Sequence, residues 1–496
     1  MRFTLQPRLL LIQCAILAAF ALMPLWYRLP ARPAIFAPLY LSRFSLLLPL
    51  LLAVGAWLVA GLPGFAALRR WRRVWALALL SLAGWGLLST QWAFIRFRDP
   101  ATGETAALQL AAAALFAVVV ACAAPPPRII TAVLALGLLP NALVTIAQAA
   151  NQGALGLTAV GEFPFHATWE GVSILRAGDL IYVRPYGLMP HPNATAGMLM
   201  IGLLAAGAWL FHPRAAIRVG AAGLCALGLA ALLLTFSRAA WLGLAAGGLV
   251  MLMGSWRSLF GESATITGLG KRMRTGIAIP PALSGVVDAG AAGNAGVVPT
   301  HVSHHDGVAS RRGLYATLAL ALVLALVVGG WFVAQYRPFL AARVGEGQES
   351  LELRSVSDRL VFTDFALRSI RERPIFGVGI GNFPWRSSYY IAETFYDLRG
   401  DNVHHVFLSA WAELGTIGLA LLLIALGCGV IGALKTQAGE QRSIYRVGLL
   451  AVVAALAVVG LFDHYPWTML HFQAAWWGCL AGALHDGGRI VYNHLS

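Results

Sequence analysis

Long apolar runs separated by polar breaks dominate the chain. A run of about 20 apolar residues is what a helix needs to cross the hydrocarbon core of a bilayer. Such runs fall at 9–27, 35–60, 74–95, 105–124, 128–150, 193–211, 216–236, 238–254, 314–334, 404–434, 446–463 and 466–485. The pattern predicts an all-α polytopic membrane protein with about twelve transmembrane helices. Three breaks are long. Residues 151–192 and 335–403 are water-compatible, whereas 255–312 is rich in Gly, Ala, Ser and Thr and lacks apolar periodicity, as a disordered linker does. The expected organisation is helices 1–5 within 1–150, a first outer loop at 151–192 and helices 6–8 within 193–254. A cytoplasmic linker at 255–312 follows, then helix 9 at 313–334, a large outer loop at 335–403 and helices 10–12 within 404–496. In that outer loop, residues 358–373 place Leu360, Val361, Phe365 and Ile370 at helical spacing. This is an amphipathic helix, lying on the bilayer, capping the spans or packed on its own domain.

Composition agrees. Of 496 residues, 59% are hydrophobic and 11% charged; a soluble domain carries about 25% charged residues. A net charge of +15 would point to nucleic acid in a soluble chain, but here positive charge also sets topology. With a cytoplasmic N-terminus, the short inner connections hold Arg69, Arg70, Arg72 and Arg73; Arg128; Arg214 and Arg218; and Lys435, Arg442 and Arg446. Both ends are then cytoplasmic, and 151–192 and 335–403 lie outside. Ala19-Phe20-Ala21 nominally fits a signal-peptide cleavage site, but Leu22-Met23 continue the run, so the first helix reads as retained. The five cysteines fall in apolar runs without metal-ligand spacing, as small core residues do. His301, His304 and His305 form only a weak metal tract. Gly377-Val-Gly-Ile-Gly381 lacks dinucleotide-binding spacing and reads as a tight turn.

Four places set unusual side chains at the outer boundary. Arg184-Pro-Tyr-Gly-Leu-Met-Pro-His191-Pro-Asn193 ends the first outer loop, with Asn193 expected to cap a helix whose N-terminal amides favour an anion. Ser237-Arg238 occupies the shortest outer connection. Asp401-Asn402-Val403-His404-His405 enters the tenth run, which continues to Glu413-Leu-Gly415. Asp463-His464-Tyr465-Pro-Trp467 turns between the last two runs. Plainer readings exist: a shaped turn, a snorkelling arginine, an interface anchor. Two adjacent histidines nevertheless suit proton transfer near neutral pH. Together these groups fit glycosyl transfer from a lipid-linked diphosphate sugar. Guanidinium groups would hold the diphosphate and receive its developing charge, and an imidazole would deprotonate the acceptor hydroxyl. No metal or other cofactor is needed for that.

The sequence resembles the O-antigen ligase/polymerase superfamily of bacterial envelope proteins. Three motifs carry the likeness: Arg184-Pro-Tyr-Gly with His191-Pro-Asn193-x-x-Ala196; Thr235-Phe-Ser237-Arg238-Ala-Ala-Trp241; and Arg373-Pro-x-x-Gly377-x-Gly379-x-Gly381-Asn-Phe383 followed by His404-His-Val-Phe-Leu408 and Glu413-Leu-Gly415. The resemblance implies about a dozen helices and a large periplasmic loop in the bacterial inner membrane. It implies transfer of a glycan from undecaprenyl diphosphate to lipid A-core, another glycan or protein, with no role for nucleic acid. Arg184 and Arg238 would bind the diphosphate and His404 would activate the acceptor, with His405 as its substitute or orienter. His191, Asn193, Ser237, Asp401, Asp463 and His464 would give support. A polymerase of the same family is the near rival. A transporter would carry charges near mid-span and paired broken helices, and mid-span charges are nearly absent.

Overall fold

The computed structural model describes residues 7–25, 46–66, 68, 70–93, 100–160, 162–260, 311–344, 350–394, 400–436 and 443–484. Most of the expected linker, including His301, His304 and His305, lies outside the described residues. Helices α1 (Pro7–Leu22), α2 (Leu47–Val59), α3 (Arg70–Ser89), α4 (Pro100–Ala123) and α5 (Pro127–Asn151) come first. An antiparallel hairpin of β1 (Ile174–Ala177) and β2 (Leu180–Val183) follows. Next are α6 (Pro192–Gly207), α7 (Ala215–Leu234), α8 (Arg238–Phe260), α9 (Arg311–Val344), α10 (Ser350–Glu372) and α11 (Phe383–Ala392). The chain continues through α12 (Val406–Thr436), α13 (Ile444–Val459), the single turn α14 (Tyr465–Thr468) and α15 (Leu470–Ala483).

Among the described residues, seven helices are long and apolar enough to cross a membrane, and α1, α2 and α13 are shorter apolar helices. Helices α3 and α14–α15 occupy the two remaining apolar runs. The protein is an all-α polytopic membrane protein, with one small hairpin among the described residues. Helix α15 is buried at every residue from Leu470 to Ala483 and lies at the centre. Helix α9 is peripheral: Leu322, Leu326 and Val327 are 61%, 66% and 63% exposed, as a lipid-facing surface requires.

Helices α8 and α13 run side by side, and glycine allows their close approach. A Cβ at Gly243 would come within 3.0 Å of the Ala455 carbonyl oxygen, and one at Gly247 within 2.8 Å of that of Ala451. Small residues at such spacing let membrane helices pack backbone to backbone. Arg238 stands a little over one turn beyond Gly243, and Asp463 about one turn beyond Val459. The packing therefore carries both to the same end of the bundle. The opposite end holds Arg128, whose guanidinium contacts the buried His212 at 2.9 Å, and the buried Arg218 and Arg446. Lys435 lies there too, 4.1 Å from the Trp71 ring.

The long polar segments 151–192 and 335–403 are more structured than their polarity indicates. In 151–192 the chain turns at Gly178-Asp179 into the hairpin, and the buried Tyr182 donates to Leu234 O at 2.9 Å. In 335–403, α10 buries Phe362, Phe365, Ala366 and Ile370 against Phe383, Tyr390, Val403 and Ala412. The amphipathic helix thus packs on α11 and on the start of α12, and Leu360 lies off that face at 66% exposed. Beyond it, Gly377 (φ +69°) and Gly415 (φ +67°) cross at close quarters. A Cβ on Gly377 would run into Glu413 O, and one on Gly415 into Ile375 O. Val378 N and Gly379 N donate to Ala412 O and Glu413 O at 3.0 and 2.8 Å. The loop is locked to α12, whose helical path breaks at Gly415.

Candidate active site

The segment carrying Arg184 is positioned by polar residues inside an apolar helix. Gln148 of α5 accepts from Tyr186 N at 2.9 Å and Gly187 N at 2.6 Å, and donates to Glu162 at 2.7 Å. Asn141, two turns earlier, accepts from Leu188 N at 3.1 Å. Backbone groups buried away from water must find such partners, and these fix the strand exit.

Arg184 is 6% exposed. Its Nε donates to Thr235 O at 2.7 Å, one terminal nitrogen to Ser173 Oγ at 2.9 Å and the other to Asn193 Oδ1 at 2.7 Å. The guanidinium therefore ties β2 to the turn between α7 and α8 and to the start of α6. Arg238 begins α8, three residues beyond the carbonyl that holds Arg184, and is exposed. Ser237 is buried in the same turn and its carbonyl accepts from Trp241 N at 3.1 Å; it lies outside the Arg184 network.

Asn193 does not cap α6. Pro192 takes the first helical position, which its missing N–H suits, so the cap falls on His191. His191 Nδ1 accepts from Asn193 N at 3.1 Å. The Asn193 side chain is released to bridge: its Nδ2 donates to Asp463 Oδ2 at 2.8 Å.

Asp463 is 3% exposed, and its Oδ1 accepts from His464 N at 2.8 Å. Oδ1 also faces His404 Nδ1 at 3.7 Å, too long for a hydrogen bond. On the other edge of the His404 ring, Nε2 faces the exposed Asp401 at 4.0 Å. The His404 and His464 rings stand edge to face with centroids 5.1 Å apart. Burial disfavours charge on Asp463, but the imidazoles of His404, His464 and His191 outweigh it and hold the carboxyl below its usual range. Close packing and the Arg184 charge lower His191, though the residue stands exposed at the surface. His464 is lowered by burial against the opposing pull of Asp463.

His405 turns the other way. Its Nδ1 accepts from Leu408 N at 3.3 Å and its carbonyl from Ser409 N at 2.9 Å, so it caps α12. Arg184, Asn193, Asp463, His464 and His404 are thus brought together with His191 and Asp401 beside them, while the hydrogen bonds of His405 and Ser237 are local. Sequence reasoning missed Ser173, which carries no signal, and Thr235, which sits inside the Thr-Phe-Ser-Arg motif. It gave Glu413 no role. Glu413 is buried and accepts from Trp467 Nε1 at 2.9 Å, pinning the 463–467 turn to α12.

No curated protein shows significant similarity to the chain. Residues 223–423 match the O-antigen ligase family. This indicates a membrane enzyme of O-antigen ligase/polymerase type, a family that handles glycans and lipid-linked substrates. The Ser237-Arg238 and His404–Gly415 motifs fall inside the matched stretch, and the match supports the O-antigen ligase/polymerase superfamily for this chain.

Proposed function

We propose that the protein is a metal-independent inverting glycosyltransferase of O-antigen ligase type, working at the outer face of the bacterial inner membrane. The donor is a glycan on undecaprenyl diphosphate and the acceptor is a hydroxyl group. The acceptor oxygen attacks the anomeric carbon, and the bond to the diphosphate breaks with its electron pair leaving on phosphate oxygen. His404 takes the hydroxyl proton at Nε2. Asp463, held ionised, favours the tautomer with the proton on Nδ1 and so leaves Nε2 free to accept. Arg238, exposed at the N-terminus of α8, meets the diphosphate, where the helix dipole adds to its charge. Arg184 braces this arrangement and contributes positive charge from behind it.

The observation that carries the reading is the union of the family match at residues 223–423 with the linked series Arg184–Asn193–Asp463–His404. The series joins residues distant in sequence and offers an imidazole, a carboxylate and a guanidinium at one end of the bundle. The deciding experiment is transfer from synthetic undecaprenyl-diphosphate glycan, with EDTA present, to lipid A-core in one arm and to a second glycan in another. Core-linked product supports ligation. Chain extension alone moves the assignment to polymerase, and no product in either arm rejects glycosyl transfer.

A further inference from the structure

The arrangement around Asp463 has a property that proton transfer does not require. His404, Asp463 and His464 each offer a possible ligand atom, and these atoms lie within 4.8 Å of one another. His404 Nδ1 is buried and has no hydrogen-bond partner. At 3.7 Å from Asp463 Oδ1 it is too far to bond that oxygen. Two ligands on one tetrahedral ion, each at about 2.0–2.1 Å, stand about 3.3 Å apart, so the gap is close to what a shared ion requires. The surroundings also resemble a ligand shell. Asn193 holds Asp463 Oδ2 at 2.8 Å, and Thr468 Oγ1 contacts His464 Nδ1 at 2.9 Å, which orients the ring. Such outer partners commonly fix metal ligands.

We infer that His404, Asp463 and His464 form a site for a zinc-like divalent transition-metal ion, and that filling it silences the enzyme. Two imidazoles and one carboxylate suit zinc or cobalt, whereas magnesium prefers oxygen ligands. The ion displaces the proton on His404 Nδ1, so binding releases a proton to solvent. It also fixes His404 as a cation's ligand, which opposes proton uptake at Nε2. The effect on activity rests on the reading of His404 as the base; the binding does not.

The test uses full-length protein purified in detergent and stripped with EDTA. Co²⁺ is followed by its visible absorption and Zn²⁺ by calorimetry. One equivalent binds to the wild type, with proton release and without competition from Mg²⁺. Loss of outer partners alone weakens metal sites by about 10–100-fold, so His464→Ala lowers affinity by at least about tenfold. His464→Gln gives the same loss from a polar side chain, and metal-free melting confirms that both variants fold. Replacing His301, His304 and His305 together by alanine leaves this equivalent in place. No tight equivalent in the wild type, or binding that survives His464→Ala and vanishes in the triple variant, overturns the site. If Zn²⁺ binds as described but does not inhibit transfer reversibly, the site stands and the inference that it silences the enzyme fails. If His404→Ala retains transfer, the base assignment fails independently of any metal result.

Discussion

Asn193 Nδ2 donates to Asp463 Oδ2 at 2.8 Å, joining residues 270 positions apart. The same amide accepts from Arg184 through Oδ1 at 2.7 Å. One side chain thus holds a cation on one side and the carboxylate facing His404 on the other. An amide suits this place because it offers both a donor and an acceptor. Asn193→Ala leaves two buried polar partners unmet, a cost of about 1–3 kcal/mol for each. Asn193→Asp removes the donor and sets a second carboxylate against Asp463. The alanine variant is expected to melt lower and transfer more slowly, and the aspartate variant to be worse in both. Equal melting and turnover in the two variants would show that the bridge does not matter.

His404 and His405 separate by substitution. His404→Ala removes the base and is expected to lower the transfer rate by about 10²–10⁴-fold while donor binding persists. His405→Ala removes a helix cap, a loss of about 1 kcal/mol, and His405→Asn restores much of it. Melting should respond at 405 and turnover at 404. Loss of donor affinity with unchanged turnover of bound donor in His404→Ala contradicts the base assignment.

The two arginines divide the same way. Arg184 is buried with three hydrogen bonds, and lysine cannot reproduce a planar fork. Arg184→Lys is expected to cost about 1.5–3 kcal/mol for each bond lost and to lower the melting temperature. Arg238 is exposed, so Arg238→Lys should leave melting unchanged while weakening binding of undecaprenyl-diphosphate glycan. Wild-type donor affinity in Arg238→Lys would remove it from the diphosphate site.

Much of this convergence was legible because spans alternate direction. The regions around Arg184, Arg238, His404 and Asp463 are separated by even numbers of apolar runs, so all four return to one side. Which atoms meet was not legible. Asn193 read as a cap because cap preference is local, whereas Pro192 shifts the cap to His191 and frees Asn193 for a partner far away in sequence. The hairpin at 174–183 was missed because four-residue strands are too short to show a period. That Ser173 and Thr235 enclose Arg184 was not legible either, because the two partners come from separate segments. Gln148 and Asn141 did leave a trace as polar residues in an otherwise apolar run, where an amide needs a reason to be.

Acid should weaken the fold through His191. Its folded value is lowered from 6.5 by its packed surroundings and by Arg184, with His464 and His404 in the same sense and Asp463 opposing; because the residue is exposed, the shift is smaller than full burial would give. Just below 6.5 the unfolded chain binds the proton more readily than the folded chain, so stability rises with pH there. Melting temperature is therefore expected to fall as pH drops below about 6.5. His191→Gln keeps a polar side chain but cannot titrate, and should flatten part of that slope. An unchanged slope would show that His191 is not the group responsible.

The crossing of the large loop over α12 gives the most demanding substitution. Gly415 adopts φ +67° and ψ −172° within an otherwise helical run, and a Cβ there would strike the Ile375 carbonyl. That backbone region is open essentially only to glycine, and occupying it costs another residue about 1–3 kcal/mol. The clash adds to this because a carbonyl cannot rotate aside as a long side chain can. Relief requires the 375–379 turn to lift from α12, which breaks the bonds to Ala412 O and Glu413 O. Glu413 also anchors Trp467, so the disturbance reaches the turn that presents Asp463 and His464. Gly415→Ala is expected to lower both melting temperature and transfer, whereas Gly427→Ala, in open space on the same helix, should change neither. Normal turnover in Gly415→Ala would mean that the loop crossing does not position the site.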